Sequence, residues 1–427
     1  MKKIAIHNFG PIKDAVIDIK PMLVLIGPQA SGKSTIAKLI YFYKTIRDIF
    51  VFKMSKGLDC NINYVKEIVK SSFLNFFGAT KNFRIVYIFE DDINLTIHSK
   101  EEGILIDFSD SFFSNEIDKI KILRDSISSN NSRHLQLEME SLYDDFQFEV
   151  NKLFRTEQND VRFTVAGRNA TVGYSYSFED SFKHSLFQKK INTNTTDEVL
   201  MKRFLTHVTE IKDIFVKYGN FQDMISSAKN DIEKSKLTLA YQLIKKVLIG
   251  EYHISDMGET ISHNGDFVYL NNASSGQQEA IRILQDAFWC IYKDENIFRV
   301  VEEPEAHLYP EAQKATIELL TLALNNKEGN NLIITTHSPY TLTVINNLIF
   351  AAKVGKDNPD KVKNIIPEEL WLPTKRVAAY ILKDGTAESI IDDELGEIKA
   401  ELIDEVSHTI NEEYDKIYNI EYETATN

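Results

Sequence analysis

Two cysteines in 427 residues, Cys60 and Cys290, stand 230 positions apart and form no CxxC pair. A disulfide framework and a cysteine-rich zinc site are therefore excluded, which fits a reducing compartment; the expected location is the cytoplasm. No apolar run approaches the ~18 residues a membrane helix needs, so no membrane partner is expected. The chain opens with Lys2 and Lys3, but polar residues interrupt it before a signal-peptide core can form. It shows no fixed-period repeat and no low-complexity tract. A heptad register never persists for three or four heptads, which excludes a long coiled coil. What remains is ordinary globular composition, 43% hydrophobic and 26% charged, in a chain large enough to bury a core without staples.

The net charge of −14 is unevenly placed. From Asp384 to Asn427 there are 14 acidic and 2 basic residues, so the body before this tail carries only −2. A nearly neutral body can still present a basic face to DNA or RNA, whereas the tail repels phosphate and attracts a basic partner. Lys152, Arg155, Arg162, Arg168, Lys189 and Lys190 are the candidates for such a face, and each also reads as a solvated cation.

Apolar alternation at Ile4 and Ile6, then Val16, Ile17 and Ile19, then the run Leu23 to Ile26, predicts strands, followed by a helix from about Lys33 to Phe50. Residues 61–115 read as β-rich, mixing a helical stretch with segments such as Phe83 to Phe89 and Ile93 to His98. Residues 116–264 read as a mainly helical insertion, with a β-hairpin over 161–180. Compact α/β texture returns over 265–383: a strand near Phe267–Leu270, a helix from about Gln277, a buried strand at Ile297–Val301, a helix over 310–325 and a buried strand at Leu332–Thr336. Residues 384–427 read as an acidic helix with one apolar stripe through Ile391, Leu395 and Ile398 to Ile417.

Gly27-Pro28-Gln29-Ala30-Ser31-Gly32-Lys33-Ser34 matches GxxxxGK[ST] between an apolar strand and a helix, with Thr35 next. Glycines let the backbone wrap a phosphate chain, and unpaired N–H groups at the helix start point at it. Lys33 is placed to neutralise the β- and γ-phosphates of a nucleotide, and Ser34 to offer its hydroxyl to Mg2+. A second cluster, Glu302-Glu303-Pro304-Glu305, ends an apolar strand. Glu302 suits the Mg2+ shell and Glu303 suits polarisation of a water, a task worth roughly 10²–10⁴ in rate. Ser274-Ser275-Gly276-Gln277-Gln278 precedes a helix and reads as a second anion site, or as an N-cap and nothing more. His337 ends the next buried strand, where it can donate to a γ-phosphate or serve the structure.

With these four segments in order, and with Asn8-Phe9-Gly10-Pro11-Ile12 ahead of them, the chain resembles an ABC-type ATPase of the SMC, RecF and OLD branch. The resemblance covers about residues 1–50 and 265–345. It implies an α/β ATPase head, a mixed sheet with a P-loop, carrying a helical insertion and a C-terminal acidic amphipathic helix. It also implies that Lys33 and Ser34 belong to Walker A, Glu302 and Glu303 to Walker B, and that His337 is the switch histidine. Ser274, Ser275, Gly276 and Gln277 then form the signature, which reaches across a homodimer or higher homo-oligomer to the partner's ATP. The signature departs from Leu-Ser-Gly-Gly-Gln, and Walker B has Glu302 where many ABC proteins have aspartate. Lys383-Asp384-Gly385-Thr386-Ala387-Glu388 faintly resembles a TOPRIM first motif, but no DxD follows. A stand-alone head with these parts is similar to the ATPase subunits of anti-phage systems of the Septu, PARIS and retron-associated kinds. That similarity implies ATP hydrolysis and control of a separate effector, a nuclease or toxin. A RecF-like repair ATPase that binds DNA directly, or a slow-turnover nucleotide-gated scaffold, are the alternatives.

Overall fold

Strands β1 (Lys3–Phe9) and β2 (Ile12–Asp18) form a hairpin, and β3 (Met22–Ile26) leads into the phosphate loop. The computed structural model describes residues 2–55, 62–101, 103–112, 116–129, 136–156, 160–173 and 196–399. Helix α1 (Lys33–Ser55) is followed by α2 (Ile62–Phe77) and an antiparallel run of β4 (Arg84–Glu90), β5 (Ile93–Lys100) and β6 (Gly103–Phe108). Then come α3 (Glu116–Ser129), α4 (Gln136–Leu153), β7 (Asp160–Thr164), α5 (Ala170–Gly173), α6 (Thr196–Tyr218), α7 (Phe221–Ser226) and α8 (Asp231–Leu248). A small antiparallel sheet of β8 (Glu251–Ser255), β9 (Gly258–His263) and β10 (Asp266–Tyr269) precedes α9 (Ser275–Lys293). The chain continues through β11 (Ile297–Glu302), α10 (Pro310–Asn325), β12 (Asn331–Thr336), α11 (Pro339–Gly355) and α12 (Pro359–Lys363). It reaches the hairpin of β13 (Val377–Lys383) and β14 (Thr386–Ser389).

The main sheet has 11 strands in the order β6-β5-β4-β1-β2-β14-β13-β3-β12-β11-β7. The run β6-β5-β4-β1-β2 is antiparallel and β13-β3-β12-β11-β7 is parallel throughout; β14 joins them, parallel to β2 and antiparallel to β13. A parallel sheet buried on both faces reads as continuous apolar runs, and β3 is such a run. Leu23 and Leu25 pack on one face with α1, α2 and α4; Met22 and Val24 pack on the other with α8, α9, α10 and α11. Helix α6 serves both layers, Leu200 and Phe204 on one side and Ile211 and Phe215 on the other. The mixed α/β head expected from the sequence is thus the fold.

Four local expectations change. The hairpin expected over 161–180 is a single strand, β7, paired in parallel with β11, then a turn and α5; residues 174–180 lie outside the described residues. The insertion therefore contributes an edge strand to the main sheet. The strand near Phe267, β10, belongs to the small sheet. The apolar stripe through Ile391, Leu395 and Ile398 does not start a helix: Ile391 and Ile398 face each other in an antiparallel bridge, and Lys353 Nζ donates to the Leu395 carbonyl at 3.0 Å. Residues 400–427, the rest of that tail, lie outside the described residues. The acidic stretch from Asp384 also begins inside the head, because its first residues make the β13–β14 turn. The segment with a faint TOPRIM likeness is that turn, with Asp384 and Gly385 both at positive φ.

Candidate functional site

All the parallel strands point their C-terminal ends at one edge, where ligands of open α/β sheets sit. Ile26 pairs with Thr336, and Thr335 pairs with Glu302. The phosphate loop, the carboxylate pair and His337 therefore leave three adjacent strands side by side. Pro11, residues 29–35, Glu303 and His337 line one pocket of about 370 Å³, whereas Gly27, Pro28 and Glu302 are not part of its lining.

Gly27 has φ +149, and a Cβ there would fall on the carbonyl oxygen of Leu382 in β13, so only glycine fits between the loop and its neighbouring strand. The Lys33 ammonium donates to the carbonyls of Gly27 at 2.9 Å and Pro28 at 2.7 Å. Burial lowers its pKa from the usual lysine value, and the nearby Glu303 and Glu305 carboxylates oppose that shift. Ser31 Oγ is buried without a hydrogen-bond partner among the described residues.

Glu302 and Glu303 differ in burial and in partners. Glu302 is buried; its Oε2 accepts from the Ala166 N–H at 3.3 Å, and its Oε1 is buried without a hydrogen-bond partner among the described residues. Glu303 is half exposed toward the pocket, with Oε1 3.6 Å from His337 Nε2. Its backbone is left-handed, φ 45, a conformation that costs a non-glycine residue roughly 1–2 kcal/mol. Such strain persists where the surroundings over-determine it. Here the Glu303 N–H donates to the Thr335 carbonyl at 2.9 Å, and the Glu303 carbonyl accepts from Arg168 at 3.0 Å and from the Ala306 N–H at 3.1 Å. Glu305 shapes the turn: its Oε1 accepts from Thr336 Oγ1 at 2.7 Å and from the His337 N–H at 2.8 Å.

The serine–glycine segment lies elsewhere, and none of Ser274, Ser275, Gly276 or Gln277 lines this pocket. Ser274 is the N-cap of α9 in a capping box. Its Oγ accepts from the Gln277 N–H at 3.3 Å, and Gln277 Oε1 accepts from the Ser274 N–H at 3.0 Å. Gly276 packs against the turn after Glu303, close to the His307 carbonyl.

Two cations expected on a surface are interior. Arg162 donates to Asp160, Asp286 and Glu295 at 2.6–3.0 Å. Arg168 is 0% exposed and bonds the carbonyls of Val165, Glu279 and Glu302 in addition to Glu303. Both were candidates for a nucleic-acid face, and their burial corrects that reading: their partners satisfy them inside the protein. Lys152 and Arg155 remain at the surface, near Glu149 and Glu90 respectively, and Lys189 and Lys190 lie outside the described residues. Arg168 has no signal in the sequence. It sits in a polar turn, and its partner Glu279 is 111 residues away.

No described helix is long and apolar enough to cross a membrane. A family model for the AAA ATPase domain matches residues 1–342, and the chain belongs to that family. No curated protein matches the chain in sequence. Among solved structures, the chain is similar to the SMC head domain from Thermotoga maritima at 10% identity, covering 91% of this chain and 97% of that one, with a TM-score of 0.34. It is similar to the recombination mediator RecF at 10% identity, 91% and 97% coverage and a TM-score of 0.34. It is also similar to MJ1267, the ATP-binding cassette of an ABC transporter, at 12% identity, 91% and 90% coverage and a TM-score of 0.28.

Proposed function

We propose that the chain is an ATP-hydrolysing head of the SMC, RecF and OLD type, which pairs with a second copy over ATP. The observation that carries this reading is the meeting of the phosphate loop, Glu303 and His337 around one pocket. The N–H groups of the loop and of the first turn of α1 hold the phosphates, and Lys33 leaves its carbonyl partners for the β- and γ-oxygens. Glu303 accepts a proton from the attacking water as its oxygen bonds the γ-phosphorus. The bond to the bridging oxygen breaks, and ADP and phosphate leave. His337 donates a hydrogen bond to the γ-phosphate. The donor set suits Mg2+, which keeps several waters and takes one or two protein oxygens. Ser34 Oγ and Glu302 Oε1, which has no hydrogen-bond partner among the described residues, would hold it. Bound there, the ion would neutralise charge on the transferring phosphate. The second copy contributes the capped N-terminus of α9, residues 274–277, whose helix start favours an anion.

The role we assign to this ATP cycle is control of a separate effector, a nuclease or toxin, in anti-phage defence. Direct binding of DNA or RNA in the manner of a repair ATPase is the weaker reading, because Arg162 and Arg168 are spent on internal partners.

The test is Glu303→Gln in the full chain. Turnover of ATP should fall by roughly 10²-fold or more while an ATP-dependent dimer accumulates. Turnover equal to that of the wild type removes Glu303 from the mechanism.

A further inference from the structure

Arg168 stands behind the carboxylate pair rather than in the pocket. It follows β7, in the turn between that strand and α5, and it is fully buried. Its guanidinium joins three pieces of chain. Nη1 donates to the Val165 carbonyl at 3.1 Å, within its own turn, and to the Glu302 carbonyl at 2.9 Å. Nη2 donates to the Glu303 carbonyl at 3.0 Å. Nε donates to the Glu279 carbonyl at 2.8 Å and lies 3.4 Å from the Glu279 carboxylate. Glu279 is in the second turn of α9, the helix whose cap is Ser274. The same turn also supplies the Ala166 N–H to the Glu302 carboxylate.

A planar fork with five donors can serve several acceptors at fixed angles; an ammonium on a flexible stem cannot. The acceptors here are the backbone of a strained residue and the helix that carries the signature. Glu303 is held at φ 45 by three bonds, of which Arg168 supplies the one that also reaches α9.

We infer that Arg168 is a positioning residue that locks the Glu303 backbone and ties it to α9, so that engagement of residues 274–277 by a second copy is relayed to the carboxylate facing the water. The inference rests on the ATP-hydrolysing, two-copy reading above. Arg168 touches neither nucleotide nor water. It acts through Glu303.

The experiment uses the full chain, wild type and Arg168→Lys, which keeps the charge and loses the fork. Turnover is measured with Mg-ATP, affinity with a fluorescent ATP analogue, and dimerisation by light scattering with ATPγS. Turnover should fall by roughly tenfold or more while affinity and the ATPγS dimer change by less than about threefold. Added to Glu303→Gln, the same substitution should leave the residual turnover within about twofold, because the group it acts through is gone. Wild-type turnover in Arg168→Lys overturns the inference. So does a joint loss of affinity, dimer and turnover, which marks a residue needed only for folding. If Arg168→Lys does not fold, Glu279→Gln removes the carboxylate charge beside the same guanidinium and leaves the bond to the Glu279 carbonyl in place. It should lower turnover by about threefold at unchanged analogue affinity, and unchanged turnover overturns the inference. A wild type that never hydrolyses ATP takes down the proposed function and this inference together; normal wild-type turnover with an unaffected variant sinks the inference alone.

Discussion

Gly276 lies so close to His307 that a Cβ on the glycine would stand 2.6 Å from the histidine's carbonyl oxygen. The obstacle is backbone, so it cannot swing away. Gly276→Ala gains about 1 kcal/mol of helix propensity in α9 but incurs roughly 1–3 kcal/mol of overpacking. The expected net effect is a loss of up to about 2 kcal/mol, read from denaturant unfolding. Nucleotide affinity at the Lys33 loop should be retained, since Gly276 is not part of that pocket. A variant as stable as the wild type would mean that α9 and the turn after Glu303 slide freely past one another.

Ser274 has a structural duty that any functional assay must separate from its chemistry. Loss of the capping box in Ser274→Ala should cost about 1 kcal/mol in the absence of nucleotide. The cap is tied further down, since Gln277 Nε2 donates to the Leu248 carbonyl at 2.6 Å, at the end of α8. Ser275→Ala, at the first helical position, should leave stability within about 0.5 kcal/mol. Thermal melts of the two variants check this, and equal melting points would show that the cap adds nothing.

Acid stability should report on Glu259. Burial would raise this carboxyl, but the bidentate Arg282 pair and Lys212 outweigh it and bring it down to about 2. A depressed carboxylate stabilises the fold above its unfolded value, here 4.5, and that contribution is lost as pH falls toward about 2. Glu259→Gln should cost about 3 kcal/mol at neutral pH, since it strands a buried guanidinium. The gap from the wild type should narrow below pH 4.5, because the unfolded carboxyl takes up a proton that the native one does not bind until about 2. Urea unfolding at pH 7 and at pH 3 checks the sign; a gap that widens in acid would refute the assignment.

The parts of the fold that could be read from residues are those whose causes are local. The continuous run from Met22 to Ile26 marks a strand buried on both faces, and the glycines after it mark the phosphate loop. Pro310 at the start of α10 marks a helix N-terminus, and that helix spans the expected residues. What stayed hidden depends on partners far along the chain. β7 looked like half of a hairpin because nothing near Asp160–Thr164 reveals that its neighbour is β11. Arg162 and Arg168 looked like surface cations because a sequence shows a charge but not the carboxylates and carbonyls that surround it. The stripe through Ile391 and Ile398 has helical spacing, yet the bridge between those residues and the Asn346 side chain, which accepts from the Ile398 N–H at 2.9 Å, wins over periodicity. The candidate site followed the same rule. The loop and the strand-end carboxylates carry motifs, and the arginine behind them carries none.

The strand that opens the phosphate loop, β3, has both of its hydrogen-bonded neighbours, β12 and β13, more than 300 residues downstream. During synthesis the loop emerges early and stays without its scaffold until residues near 383 have cleared the ribosome. A prematurely terminated product ending just beyond His337 would carry every recognisable motif yet lack β13, one flank of the strand that aims them. The sheet around the loop is thus complete only once nearly the whole head has been made.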